Sequence, residues 1–159
     1  MTVNEYNSCV DFYADGIFRF ALKTLSDADK ANDVVQDSFE RLWVKRSKVD
    51  YSKAKSYLFT TAYHACIDTI RDDKRVTRIE ESHELSIDNQ YTDLQEILHA
   101  ALNTLPKVQR SVILLRDYEG YSYSEIEEIT GLNESQVKVY IYRGRLALKK
   151  FIGKPQTVI

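Results

Sequence analysis

The sequence predicts an all-α protein of two small helical domains joined by a linker, the C-terminal domain a helix-turn-helix, and three observations carry that prediction. Apolar residues recur at spacings of three, four and seven through most of the chain, which is the helical period. Glycine and proline are scarce, 5 and 2 in 159 residues, and β-branched runs are few, which leaves helices with short loops. The composition also shifts in the middle. Thr77 to Asp93 sets Arg78 against Glu80, Glu81, Glu84, Asp88 and Asp93 and is poor in periodic apolar residues, as a linker is. The expected boundaries are a first domain over residues 1–75, a linker over 76–92 and a second domain over 93–159.

In the first domain a helix is predicted from about Asn4 to Leu25, with Val10, Ile17, Ala21 and Leu25 on one face. Asp27 can cap a second helix, in which Ala31, Val34, Val35, Ser38, Phe39 and Leu42 recur at helical spacing. Its other face is polar: Asp33, Gln36, Asp37, Glu40 and Arg41 line up, with the ring of Trp43 near the end. A third helix begins near Ser52 or Ser56, with Leu58, Ala62, Ala65, Ile67 and Ile70 at packing positions. Along it Tyr57, Tyr63 and His64 are interleaved with hydroxyls such as Thr60 and followed by Arg71, Lys74 and Arg75. That mixture suits stacking on unpaired bases while holding phosphates, at about 1–3 kcal/mol per stacked base.

In the second domain Pro106 suits a first helical position, followed by Val108, Val112, Ile113 and Leu115. Ile126 and Ile129 then give one short helix an inward face, and Val137, Ile141 and Leu148 give one to a longer helix. Between them Gly131 can take left-handed backbone angles, Leu132 is an apolar plug and Asn133 can cap the helix that follows. Lys138, Arg143 and Arg145 lie on that last helix. This is the pattern of a helix-turn-helix, which lays its second helix in a DNA groove.

Charge agrees through its distribution. Acids slightly outnumber bases overall, 24 against 22, yet from Val137 onward Lys138, Arg143, Arg145, Lys149, Lys150 and Lys154 meet no acid. A local nucleic-acid footprint within an acidic protein is the implication. Cys9 and Cys66 are too far apart for metal-ligand spacing, and His64, His83 and His99 form no cluster with them. Both thiols are expected to be free and buried, as in a reducing cytosol, with no metal or other cofactor. No basic segment followed by an apolar core opens the sequence, and no apolar stretch approaches membrane-spanning length, so a soluble, cytoplasmic protein is expected.

Three stretches, in order and spacing, resemble the extracytoplasmic-function sigma factors, the small two-domain class of bacterial RNA polymerase sigma subunits: Ala31 through Trp43, Tyr57 through Asp68 with Arg71, and Leu105 through Arg145. The resemblance covers nearly the whole chain. It implies that Asp33, Gln36, Asp37, Phe39, Arg41, Leu42 and Trp43 belong to the element that docks on the clamp coiled coil of the polymerase's largest subunit. It further implies that the stretch around Lys48 to Arg75, with Tyr57, Thr60, Tyr63, His64, Arg71, Lys74 and Arg75, opens and reads the minus-ten promoter element. A non-template base would enter a pocket near Val49 to Lys55. The helix from Glu134 to about Lys149 would read the minus-thirty-five element in the major groove. Glu134, Ser135, Gln136, Lys138 and Tyr140 would face base edges, and Tyr142, Arg143 and Arg145 phosphates or packing. The linker would thread the polymerase near its active site. With no long N-terminal extension to mask DNA binding, control by a separate anti-sigma factor is implied.

The chain departs from the family pattern at His64, where asparagine is common, and at Glu127 and Gly144, where alanine is usual. A carboxylate at 127 must reach solvent or a cation, and glycine within a helix costs about 0.5–1 kcal/mol relative to alanine. The nearest competing reading is a stand-alone helix-turn-helix regulator with a sensing or dimerisation domain. A protein–protein adaptor would leave the basic helix without a purpose. An enzyme ranks last, because the sequence offers no Gly-rich phosphate loop, no clustered His or Cys and no recognisable Ser and His pairing.

Overall fold

The computed structural model describes residues 1–76 and 93–153, so the linker segment 77–92 and Lys154 lie outside the described residues. Among those described, every regular element is helical. The first half is three helices, α1 (Val3–Leu25), α2 (Ala28–Val44) and α3 (Ala54–Val76), the last entered through a 3-10 turn at Tyr51–Lys53. The second half holds α4 (Asp93–Asn103), α5 (Lys107–Ile113), a π-helical turn at Leu114–Tyr118, α6 (Tyr123–Thr130) and α7 (Glu134–Ile152).

Local chemistry accounts for most helix ends. The Asp27 carboxylate accepts the Lys30 backbone N–H and starts α2. Thr2 with Glu5, Ser122 with Glu125 and Asn133 with Gln136 form reciprocal capping boxes at the starts of α1, α6 and α7. Gly131 closes α6 at φ 76°, the left-handed angle expected of it, and donates to the Glu127 carbonyl. Pro106 stands one residue earlier than the sequence suggested, as the cap before α5 rather than its first residue. The widened turn after α5 was not legible in advance: Glu119 N–H donates to the Leu114 carbonyl and Tyr121 N–H to the Leu115 carbonyl, each at 3.0 Å.

In the first half α1, α2 and α3 pack on one another around Ile17, Phe20, Leu42, Leu58 and Phe59, all at most 1% exposed. Burial contributes about 1.5–3 kcal/mol for each such side chain. In the second half α7 lies across α4, α5 and α6, burying Val137 and Ile141 against Val112, Ile113, Ile126 and Ile129. The two halves also share one continuous core, because α6 packs on α3 and α5 on α1. Phe59 meets the edge of Tyr121 at 5.5 Å between ring centres. Arg19 bonds Glu119 at 2.9 Å, and Ser26 Oγ donates to Asn103 Oδ1 at 2.7 Å. At the centre of this junction Arg110 caps two helix ends: Nη1 donates to the Thr24 carbonyl of α1, and Nη2 to the carbonyls of Asn103, the last residue of α4, and of Leu105 beyond it.

Gly144 acquires a reason that helix propensity alone does not provide. A Cβ there would lie 2.7 Å from Cγ1 of Ile113, so glycine is what lets α7 approach α5.

Candidate nucleic-acid interface

On α2 the buried side, Ala31, Val34, Ser38, Phe39 and Leu42, turns the polar side outward. Asp33, Gln36, Glu40 and Arg41 are exposed and Asp37 is half-buried, with Arg41 Nε 3.2 Å from Asp37 Oδ2. Trp43 is 39% exposed but held in place: the Tyr6 ring meets it edge-on at 5.0 Å, and the Arg46 guanidinium sits 3.8 Å over it. Phe39 and Leu42, at 7% and 0% exposed, lie inside the core and support this face from behind.

The α3 residues divide in the same way. His64 and Arg71 are exposed, Tyr57 and Thr60 half-buried, and Thr60 Oγ1 donates to the Ser56 carbonyl. Tyr63 is 5% exposed, and desolvation pushes its phenol pKa up. It is thus packed rather than offered for stacking. Lys74 and Arg75 fall in the last turn of α3, with their side chains outside the described residues. A groove of about 410 Å³ brings Tyr57, Thr61 and His64 of α3 together with Asp37 and Arg41 of α2. The two faces that the sequence assigned separately are therefore adjacent.

On α7, Glu134, Ser135, Gln136, Lys138, Tyr142, Arg143 and Arg145 are exposed, whereas Tyr140 is half-buried and packs against the core. Lys138 Nζ lies 2.8 Å from Glu134 Oε1, a contact that raises the lysine pKa and lowers the glutamate's. Glu127 is half-buried, and its charge adds the smallest of the contributions that favour protonated Lys138, behind that of Glu134. Arg145 Nε donates to Asp117 Oδ2 at 3.2 Å, and a second bond joins the same two groups. Such exposed pairs contribute about 0–1 kcal/mol, so a phosphate can replace either carboxylate at little cost.

Cys9 and Cys66 are both free and buried, and burial pushes the Cys66 thiol up to about 12, far from reactive. Among the described residues no group of three or more His, Cys, Asp or Glu could hold a metal ion, and no helix is long and apolar enough to cross a membrane. Sequence reasoning missed the junction that Arg110 organises and the exposure of Val139 beside the α7 cations. The uninterrupted helical spacing from Val137 was the available signal for the latter.

Comparison with known proteins assigns the arrangement to a family. The sequence profile of sigma-70 region 2 matches residues 9–76, and that of sigma-70 region 4 matches residues 95–148. The ECF RNA polymerase sigma factor SigM of Bacillus subtilis (strain 168) is 26% identical over 97% of this chain and 97% of its own length. The RNA polymerase sigma factor YlaC of the same organism is 30% identical over 89% of this chain and 88% of its own length. Among solved structures, the sigma factor RpoE in complex with the anti-sigma factor NepR from Bartonella quintana superposes with a TM-score of 0.80 at 26% identity, covering 96% of this chain and 99% of that one. CnrH in complex with the cytosolic domain of CnrY shares the fold, with a TM-score of 0.67 at 20% identity over 92% of this chain and 86% of that one. With both regions in order on one chain whose described elements are all helical, the protein belongs to the extracytoplasmic-function sigma factors of the sigma-70 family.

Proposed function

We propose that the chain is the promoter-specificity subunit of a bacterial RNA polymerase, acting in the cytoplasm, bound to core polymerase and without a catalytic site of its own. The observation that carries this is the exposure, on a chain matching both sigma regions, of the polar α2 face around a braced Trp43 and of the cations along α7. Asp33, Gln36, Asp37, Arg41 and Trp43 contact polymerase, with Phe39 and Leu42 as their buried support. Tyr57, Thr60, His64 and Arg71, continued by Lys74 and Arg75, meet the melted minus-ten strand over the packed Tyr63. Glu134, Ser135, Gln136 and Lys138 approach minus-thirty-five base edges, and Arg143 and Arg145 the phosphates, while Tyr140 supports the helix. Melting needs no hydrolysis by this chain, because binding of the unpaired strand offsets the unstacking.

Dimensions then require motion. The two promoter elements, about 25 base pairs apart by their names, are separated by about 85 Å at about 3.4 Å per pair. A compact chain of 159 residues has a diameter of about 40 Å. The halves joined at Arg110 therefore part when both elements are read. A partner that holds the packed form is inhibitory, and an anti-sigma factor is the kind of partner that accompanies RpoE and CnrH in their complexes.

The test is binding to promoter duplex with and without core polymerase. Tight, specific binding only in the polymerase complex supports the proposal, and equally tight binding by the free chain makes it a stand-alone regulator.

A further inference from the structure

The outermost ridge of α7 is apolar. Val137, Ile141 and Gly144 are buried, so at the helical repeat the opposite side carries Val139, Tyr142 and Leu146. These three are 40%, 70% and 42% exposed and form a single stripe. Cations flank the stripe on both sides, Lys138, Arg145 and Lys149 along one edge and Arg143 and Lys150 along the other, all exposed. An apolar ridge between two cationic rows complements a major groove, where a floor of base edges runs between phosphate walls about 12 Å apart. The apolar feature of that floor is the thymine 5-methyl group. Val139 stands in the second turn of α7, within the N-terminal part that a helix-turn-helix presents to base edges, and its side chain has no donor or acceptor with which to read a polar edge.

We propose that Val139, backed by Tyr142, is a specificity-determining residue that packs on the 5-methyl group of a thymine in the upstream promoter element. The inference rests on the sigma-factor reading above and extends it from groove occupancy to base identity.

The test uses the full chain with core polymerase on a promoter mapped by run-off transcription. Each thymine of the upstream element, on either strand, is replaced in turn by deoxyuridine, which removes only the methyl group. One replacement is expected to lower promoter affinity about four-fold, the effect of one methyl group left unburied. Val139→Ala is expected to lower affinity for the thymine template by a similar factor and to make thymine and uracil equivalent at that position, with an unchanged melting temperature. Equal affinity for every uracil template, with polymerase-dependent starts intact, overturns the inference and leaves the sigma reading standing. So does a Val139→Ala chain that still distinguishes thymine from uracil, or one that alters only binding to a protein partner. Loss of polymerase dependence altogether overturns both.

Discussion

Removing the Arg110 guanidinium should unfasten the two halves of this chain. Arg110 is 4% exposed and spends its charge on carbonyls: Nη1 reaches Thr24 at 2.9 Å and Lys23 at 3.4 Å, and Nη2 reaches Asn103 at 3.1 Å and Leu105 at 3.2 Å. Those to Thr24 and Leu105 are fully buried. Without the guanidinium, two buried carbonyls lose a donor at about 1–3 kcal/mol each, and the C-terminus of α1 loses its compensating charge. The arginine's own desolvation, which lowers its pKa, is recovered and reduces the total. Arg110→Met, which keeps the stem, is therefore expected to cost about 2–4 kcal/mol, and Arg110→Ala about 3–5 kcal/mol, out of about 5–15 kcal/mol for a whole domain. Urea unfolding reads this with two probes, because Trp43 is the single tryptophan and lies in the first half, whereas helical circular dichroism reports both. The native chain should show coincident transitions, and Arg110→Met should separate them. A cost under about 1 kcal/mol with coincident transitions would refute the reasoning, since water would then be replacing the guanidinium.

Gly144→Ala should destabilise by about 1–3 kcal/mol despite the better helix former, because the new Cβ meets Cγ1 of Ile113 at 2.7 Å; Ile113→Ala, which removes that atom, should lower the melting temperature less in the Gly144→Ala chain than in the native one. Asp37→Ala with Arg41→Ala should weaken competition for core polymerase at an unchanged melting temperature, since both side chains lie on the outer α2 face; Phe39→Ala, in the core, should lower stability by about 3–5 kcal/mol instead. His99 has its pKa lowered by burial first and then by the charges of Arg110 and Lys23. Its unfolded form takes up a proton before its folded form does, so stability is intact above about pH 6.5 and falls as pH drops below that value through the folded pKa. Melting temperatures measured from about pH 7 down to about pH 5 should show this decline, and His99→Gln should remove the part due to this residue.

Features set by neighbouring residues were legible in the sequence. Asp27, Gly131 and Asn133 act where they stand, so the start of α2 and the turn between α6 and α7 could be read from side-chain chemistry alone. The polar face of α2 was equally plain, because helical spacing separates it from Ala31, Val34 and Leu42. Features set by distant residues were not. Phe39 and Tyr63 belong to motifs that suggest contact with a partner, yet Tyr6 covers one, through edge-on ring packing and a bond from its hydroxyl to the Phe39 carbonyl, and the shared core covers the other. Gly144 looked like a weak point in α7 until Ile113, 31 positions earlier, was brought against it. Nothing near Arg110 in the sequence marks it out; only the close approach of α1 makes it a cap for a helix 86 residues away.

The measurement that most directly tests the central claim is run-off transcription by bacterial core RNA polymerase, with and without this chain, across fragments of the source genome. Discrete new starts that share a pair of upstream elements are the predicted result. No new starts, together with sequence-specific duplex binding by the free chain, would contradict the account.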